Sequence, residues 1–150
     1  MKKLRLWKVY EDKSVKNSTF SGLVIKILGA NLLQIENCKT KQQIKVQLAS
    51  VRGPKRQKND AGLEFGYYSE AVEFLRSRLI GKTVQVTVDY IKPAEDLYEE
   101  RTCVSILNGD QNIAESLVSR GLAEVMRHRQ DEDHRASNYD ALLVMFVSFN

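Results

Sequence analysis

Residues 20–50 read FSGLVIKILGANLLQIENCKTKQQIKVQLAS, with three strand-like runs separated by two turns. The runs are Phe20–Leu28, Leu32–Glu36 and Gln42–Ser50, and the third alternates apolar and polar side chains, as strands with one buried face do. Turn-forming residues fill Gly29–Asn31 and Asn37–Lys41 between them. This stretch therefore predicts a three-stranded antiparallel meander.

Downstream of the meander, the periodicity predicts one helix, two further strands and two more helices. Residues 51–66, with Gly53-Pro54 and several cations, are expected to form a long exposed loop. The expected elements are a helix at Ser69–Leu79 capped by Ser69, strands at Thr83–Tyr90 and Thr102–Leu107 around an acidic loop at Pro93–Glu100, and helices at Ile113–Ser119 and Ser137–Val147.

This order, βββ-α-ββ-α-α, has the strand count and helix position of an OB-type five-stranded barrel. We therefore expect an α+β fold, while other small barrels and an open sheet with helices remain alternatives. Residues 1–18 lack either periodicity and are interpreted as an N-terminal extension or linker, which leaves residues 19–150 as one domain.

Composition limits the class of protein further. Hydrophobic residues make up 43% of the chain and charged residues 28%, which excludes an intrinsically disordered chain. Cys38 and Cys103 lie far apart and outside any CxxC spacing, so we expect reduced thiols and neither a disulfide framework nor a zinc module. No apolar run reaches the length of a membrane span, so we expect no membrane contact and an intracellular location.

Charge is distributed unevenly along the chain. Residues 1–60 hold 14 Lys and Arg against 4 Asp and Glu, whereas residues 61–150 hold 9 against 15. A basic half favours a polyanionic partner, because each neutralised phosphate releases counterions. A solvated basic surface that binds nothing is the alternative interpretation.

Several stretches resemble staphylococcal-nuclease-like domains, and more closely the Tudor staphylococcal nuclease (Tudor-SN) family. The general resemblance lies in Phe74–Ile91 and Ala114–Val125. The closer one lies in Lys3–Lys8, Val88–Ala94, Glu100–Cys103 and Arg127–Asp133, and is greatest to the third nuclease-like repeat. It extends from Lys3 to Leu143 and implies the staphylococcal nuclease type of OB-fold, with five strands and three helices.

Active members of the family hold Ca²⁺ with two aspartates, use a glutamate as the proposed base and clamp phosphate with two arginines. The resemblance places Asn31 and Arg52 at the aspartate positions, Lys55 at the glutamate and Gln47 at the first arginine. Arg101 matches the second arginine and is retained. A cation at a ligand position repels Ca²⁺, and arginine accepts no proton at neutral pH. We therefore expect no intact catalytic residue, no metal and no cofactor, with Ca²⁺ only in the alternative of an active nuclease.

The sequence then favours a catalytically degenerate domain that serves as an RNA-binding and scaffolding module. The expected nucleic-acid-binding residues are Arg52, Lys55, Arg56, Lys58 and Arg101. An ion pair with Glu99 or Glu100 is the alternative for Arg101. The resemblance implies as partners RNA, contacted at its backbone with weak sequence preference, neighbouring nuclease-like and Tudor domains, and ribonucleoprotein complexes of RNA silencing, transcription co-activation and splicing. It also implies a cytoplasmic location, with the nucleus as a second one. A Ca²⁺-dependent RNA or DNA nuclease and a protein-interaction module are the rival functions.

Three smaller features have two interpretations each. The segment His128–His134 suggests a metal site or, more simply, a solvated loop. Phe65, Tyr67 and Tyr68 could stack on bases or pack in the core. The terminal residues Val144–Asn150 replace the charged helix typical of the family with apolar residues, so we expect the tail to be covered by its own domain or by a second copy, with a frayed tail as the alternative.

Overall fold

The computed structural model describes residues 18–62, 64–128 and 135–149. Within them the strands are, in chain order, β1 (Thr19–Ile27), β2 (Leu32–Asn37), β3 (Gln43–Leu48), β4 (Val51–Arg52), β5 (Gln57–Lys58), β6 (Glu64–Phe65), β7 (Thr83–Lys92), β8 (Arg101–Asn108), β9 (Gln111–Asn112) and β10 (Glu124–Val125). The helices are α1 (Tyr68–Leu79), α2 (Ile113–Ser119) and α3 (Tyr139–Phe149).

Five long strands close into a barrel. Strands β1, β2 and β3 form the predicted antiparallel meander, and β1 also pairs with β7, which pairs with β8. Closure comes from the parallel pairing of β3 with β8, in which Val46 is opposite Thr102 and Leu48 is opposite Val104. The α+β, OB-like prediction is therefore confirmed, and the open-sheet alternative is wrong because β3 meets β8.

Short strands connect the barrel to the segments around it. The predicted loop at residues 51–66 is broken by β4, which pairs with β10, and by the β5–β6 hairpin. Describing the whole segment as loop was therefore wrong in part. The partner of β4 lies more than 70 residues further along the chain, so no local pattern could indicate this pairing.

The helices differ from the predictions mainly at their ends. Helix α1 begins at Tyr68, and Tyr67 at its N-cap position makes no side-chain cap hydrogen bond, so the prediction that Ser69 caps the helix was wrong. Helix α2 has the predicted bounds and is capped by Asn112, whose Oδ1 accepts from the Glu115 amide at 3.1 Å. Helix α3 begins two residues later than predicted.

The core lies inside the barrel and under the helices. Its largest fully buried side chains come from the meander, β4, α1, β8, α2 and α3, and are Val24, Leu33, Ile35, Val46, Leu48, Val51, Leu75, Leu79, Ile106, Ile113, Leu117 and Leu142. Truncating one such Leu or Ile to Ala costs about 2–5 kcal/mol. Both cysteines are unpaired thiols, as predicted, with Cys38 half-buried and Cys103 buried.

The apolar tail is covered in part by its own domain. Leu142 is fully buried, while Leu143, Met145 and Phe146 are partly buried against the core. Val144 and Val147 remain 66% and 59% exposed. Packing in the domain's own groove therefore holds for the face of α3 that carries Leu142, Leu143, Met145 and Phe146.

The predicted extension falls almost entirely on residues 1–17, which lie outside the described residues, so its boundary remains a prediction. Among the residues that the structure describes, no helix is long and apolar enough to cross a membrane.

Candidate nucleic-acid interface

The turn between β1 and β2 contacts the start of the basic loop. The Asn31 side-chain amide donates to the Val51 carbonyl at 3.1 Å, and the Leu48 amide donates to the Asn31 carbonyl at 2.9 Å. One residue after β4, Gly53 packs so closely on Ala30 that a Cβ at Gly53 would lie 2.4 Å from the Ala30 Cβ. Two positions that are 21 residues apart in sequence, Asn31 and Arg52, are thus brought to one end of the barrel.

Gln47 and Arg101 meet on adjacent parallel strands. Arg101 Nη1 donates to Gln47 Oε1 at 3.5 Å, and the Arg101 guanidinium lies 5.3 Å from the centroid of the Tyr98 ring. In the described part of the chain Arg101 makes no ion pair with Glu99 or Glu100, so that alternative was wrong. The Arg101 Nε is buried and has no hydrogen-bond partner among these residues. Arg101 is therefore oriented by neutral contacts, and no ion pair with a described carboxylate offsets its charge.

The four predicted cations of the loop, which we call the basic loop cluster, are all exposed: Arg52, Lys55, Arg56 and Lys58. The β5–β6 hairpin holds Lys58 opposite Glu64, and β4 holds Arg52 opposite Glu124. Arg52 and Lys55 line one side of a cavity of about 480 Å³ that also includes Tyr67, which is 60% exposed. The structure therefore presents the cluster to solvent beside an accessible aromatic ring.

The aromatic residues near this loop divide between the two interpretations. Tyr67 is accessible enough to stack on a base. Tyr68 is half-buried and packs against the core. The Phe65 side chain lies outside the described residues, so its role stays a prediction.

Comparison with known proteins adds to this geometry. The family model described as "Staphylococcal nuclease homologue" matches residues 45–144, from β3 to α3. The chain belongs to the staphylococcal nuclease homologue family. It is 33% identical, over 165 residues, to Staphylococcal nuclease domain-containing protein 1 of Drosophila melanogaster, covering 95% of this chain and 18% of that protein. It is similarly 33% identical to the protein of the same name in Schizosaccharomyces pombe (94% and 16% covered), and 28% identical to Ribonuclease TUDOR 2 of Arabidopsis thaliana (94% and 18% covered). The chain thus spans less than a fifth of the length of these relatives.

The residues present in this staphylococcal nuclease homologue do not fit the Ca²⁺ that the resemblance implies. Ca²⁺ requires several oxygen ligands, mostly carboxylates. The Asn31 amide nitrogen is used on the Val51 carbonyl, which leaves one neutral oxygen, and Arg52 and Lys55 bring positive charge. The structure therefore supports no catalytic step through a metal at these positions.

The segment that suggested another metal site is used structurally where it is described. His128 Nε2 lies 2.9 Å from Ser50 Oγ, and its ring packs edge-on against Tyr139 at 5.1 Å. Residues 129–134 lie outside the described residues. Among the described residues no three His, Cys, Asp or Glu side chains group together in a way that could hold a metal ion.

Sequence reasoning missed Lys92 and Arg127, which lie with Arg52 around a second cavity of about 380 Å³. Their sequence positions are 40 and 75 residues beyond Arg52, so no local cluster marks them. The available signal was the position of Lys92, two residues after the predicted strand end at Tyr90, where β7 in fact continues to it.

Proposed function

We propose that this domain is a catalytically degenerate nuclease-like module that binds RNA through its phosphates within a multidomain Tudor-SN protein. The similarity to two Staphylococcal nuclease domain-containing proteins, each more than five times longer than the matched segment, supports a place among several domains. The proposal includes the assignment to the third nuclease-like repeat and the context of RNA silencing, transcription co-activation and splicing, in the cytoplasm and nucleus.

The observation that carries the proposal is the exposed basic loop cluster at the barrel end where Asn31 lies. Four cations within seven positions provide charge-assisted donors for phosphate oxygens. Arg52 at one ligand position and Lys55 at the position of the base change the site from one that attracts a cation to one that attracts an anion. The same substitutions support binding and oppose hydrolysis.

A second candidate function is a Ca²⁺-dependent nuclease. It is favoured by the name of the Arabidopsis thaliana relatives, Ribonuclease TUDOR 2 and Ribonuclease TUDOR 1. A third is a protein-interaction module in which the same cations bind an acidic partner. These alternatives differ in their response to Ca²⁺ and to RNA, so one set of measurements separates them.

The experiment is a salt titration of RNA binding, with and without Ca²⁺, on the wild-type chain and on a variant with the basic loop cluster changed to Ala. Loss of as many as four contacts to single-stranded RNA should lower the salt slope by up to about 2.8, at about 0.7 per phosphate. The matched control replaces four exposed cations elsewhere, Lys26, Lys39, Lys41 and Lys82.

Three outcomes decide between the candidates. Salt-dependent binding that Ca²⁺ does not change, and that the cluster variant loses while the control keeps it, supports the proposal. Ca²⁺-dependent cleavage that Arg101→Ala abolishes contradicts it in favour of the nuclease. Absence of RNA binding in the wild-type chain contradicts it in favour of the protein-interaction module.

A further inference from the structure

A second cavity, of about 380 Å³, lies beside β4 and between the end of β7 and the segment that follows β10. This volume is in the range of small-molecule sites. Its lining includes Arg52, Lys92 and Arg127. Of the positions that the resemblance matches to catalytic residues of active members, the cavity includes Arg52 alone. We call it the Lys92 cavity.

The walls of the Lys92 cavity are held by backbone and side-chain contacts of the barrel. Strand β10 pairs with β4, and the Met126 amide donates to the Ser50 carbonyl at 2.8 Å. His128 is fixed by its contacts with Ser50 and Tyr139, and Lys92 ends β7 in register with Arg101 of β8. A ligand would therefore meet preformed walls, which lowers the entropic cost of binding.

The charge of the lining is mainly positive. Arg52, Lys92 and Arg127 face one carboxylate, Glu124, which is the cross-strand neighbour of Arg52. Burial raises the pKa of Tyr90, so its phenol stays protonated and keeps its hydrogen. Cations with neutral polar groups in a concave site provide the chemistry that recognises phosphate.

Arg52 lines the Lys92 cavity and also the cavity beside Lys55 and Tyr67. Its cross-strand neighbour Glu124 lines both cavities as well, so the two cavities are adjacent at the β4–β10 pair. A strand whose phosphates contact the basic loop cluster would reach the Lys92 cavity without leaving the protein surface.

We propose that the Lys92 cavity binds a phosphate group of an RNA chain through Arg52, Lys92 and Arg127. This inference rests on the proposed function and extends it to residues outside the loop. The phosphate is either a terminal monoester or an internal diester, since the recognised chemistry is the same. A terminal monoester carries the larger charge, and an internal diester requires the chain to enter and leave the cavity.

The test measures binding of fluorescent decauridylate to the whole chain carrying Lys92→Ala and Arg127→Ala together. Both residues are exposed, so the variant should melt like the wild-type protein. The matched control is Lys26→Ala with Lys39→Ala, which removes the same charge from exposed positions elsewhere. We expect affinity at least tenfold below that of the control and a salt slope lower by about 1.4, for two lost contacts.

Two further variants test the direction of the effect. Lys92→Arg with Arg127→Lys keeps both charges and should restore binding to within about threefold of wild type, at similar salt slope. Glu124→Gln removes the one carboxylate and should tighten binding a few-fold.

Oligonucleotides with a 5′-phosphate, a 3′-phosphate or two hydroxyl ends distinguish the sources of the phosphate. A preference for one phosphorylated end that the Lys92, Arg127 variant loses identifies a terminal monoester. Equal affinity for all three, with the variant still weaker than its control, identifies an internal diester.

The inference is overturned if the variant and its control bind RNA equally, even where the basic loop cluster variant has lost binding. That result would leave the proposed function intact. It is also overturned if a glutamate decamer displaces RNA as effectively as unlabelled decauridylate, which would point to an acidic protein segment. If the wild-type chain binds no RNA, the inference and the proposed function fail together.

Discussion

Replacing Gly53 with Ala should displace the basic loop cluster from the barrel and destabilise the domain. The added Cβ would lie 2.4 Å from the Ala30 Cβ, about 1 Å closer than ordinary contact allows, and 3.1 Å from the Ala30 carbonyl carbon. Ala30 is buried and two of the three close atoms belong to its backbone, so the neighbour cannot simply rotate away. Overpacking of this kind costs about 1–3 kcal/mol.

For a chain of this length 1 kcal/mol corresponds to about 3 °C in Tm, so Gly53→Ala should melt about 3–9 °C below wild type. The assay is thermal unfolding followed by circular dichroism, with RNA affinity measured on the same samples. Gly53 lies between Arg52 and Lys55, so displacing it should move these cations and weaken RNA binding as well.

Ala30→Gly provides the complementary change, because it removes the methyl group that Gly53→Ala would strike. Alone it should cost about 0.5–1 kcal/mol through added backbone freedom. Combined with Gly53→Ala it should recover most of the lost stability, since the two changes exchange one methyl across the contact. Gly29→Ala is the matched control, because its Cβ would meet its nearest neighbour, Leu32 Cβ, at 3.7 Å. Wild-type stability in Gly53→Ala, or a double variant as unstable as the single one, would refute this account of the contact.

Three further predictions concern the pH dependence of stability, the degenerate catalytic positions and the C-terminal tail. Burial raises the pKa of Asp89 above its ordinary 3.8, so its contribution to stability is present below that pH and is lost as the pH rises through the raised value. Across the pH range around that raised pKa, the free energy of unfolding of the wild type should fall relative to that of Asp89→Asn by up to about 1.4 kcal/mol per pH unit. Urea unfolding at several pH values measures both, and equal pH dependence in the two proteins would contradict this. The four catalytic positions can be restored together by Asn31→Asp, Gln47→Arg, Arg52→Asp and Lys55→Glu. Each of these substitutions alone should give no Ca²⁺-dependent cleavage, because catalytic roles that act as a unit are lost together. Cleavage assays should compare each single variant with the fourfold combination. A chain ending at Leu143 loses the partly buried Met145 and Phe146, whose burial contributes about 2 kcal/mol together. Calorimetry should therefore show a Tm about 6 °C lower, and sedimentation should show a monomer for both chains. Equal stability, or a dimer that is lost on truncation, would contradict packing within the domain.

The barrel strands could be predicted because apolar and polar side chains alternate along most of them. Strand β7 was cut short at Tyr90, although it continues to Lys92, because a register shift between Val88 and Tyr90 buries three consecutive residues. One of these is Asp89, whose carboxylate accepts a hydrogen bond from Ser105 on β8. That hydrogen bond satisfies one oxygen of the buried carboxylate and lowers the cost of burying it.

Without the family resemblance, the candidate site was predictable only where its residues are adjacent in sequence. The cations from Lys55 to Lys58 form a visible cluster, and their exposure follows from a loop rich in turn residues. The contact between Arg101 and Gln47 instead depends on the parallel β3–β8 pairing, which no local pattern indicates. Lys92 and Arg127 were missed because pairings distant in sequence place them near Arg52: β10 pairs with β4 just before Arg127, and Lys92 lines the same cavity.

The buried core of the barrel is separate from the candidate site at its end, where Gln47 and Arg52 lie. The residues of the site can therefore change while the fold is kept. On either side of Gln47 along β3, Val46 and Leu48 are fully buried, with their side chains on the opposite face of the strand. Gln47 itself is half-buried, whereas Arg52 is exposed beside the fully buried Val51. Exposed substitutions outside special features change stability by about 0.5 kcal/mol or less, far below the cost of truncating a core residue. The fold therefore depends on the buried residues, whereas any statement about catalysis or binding depends on the few donor and acceptor atoms at this end of the barrel.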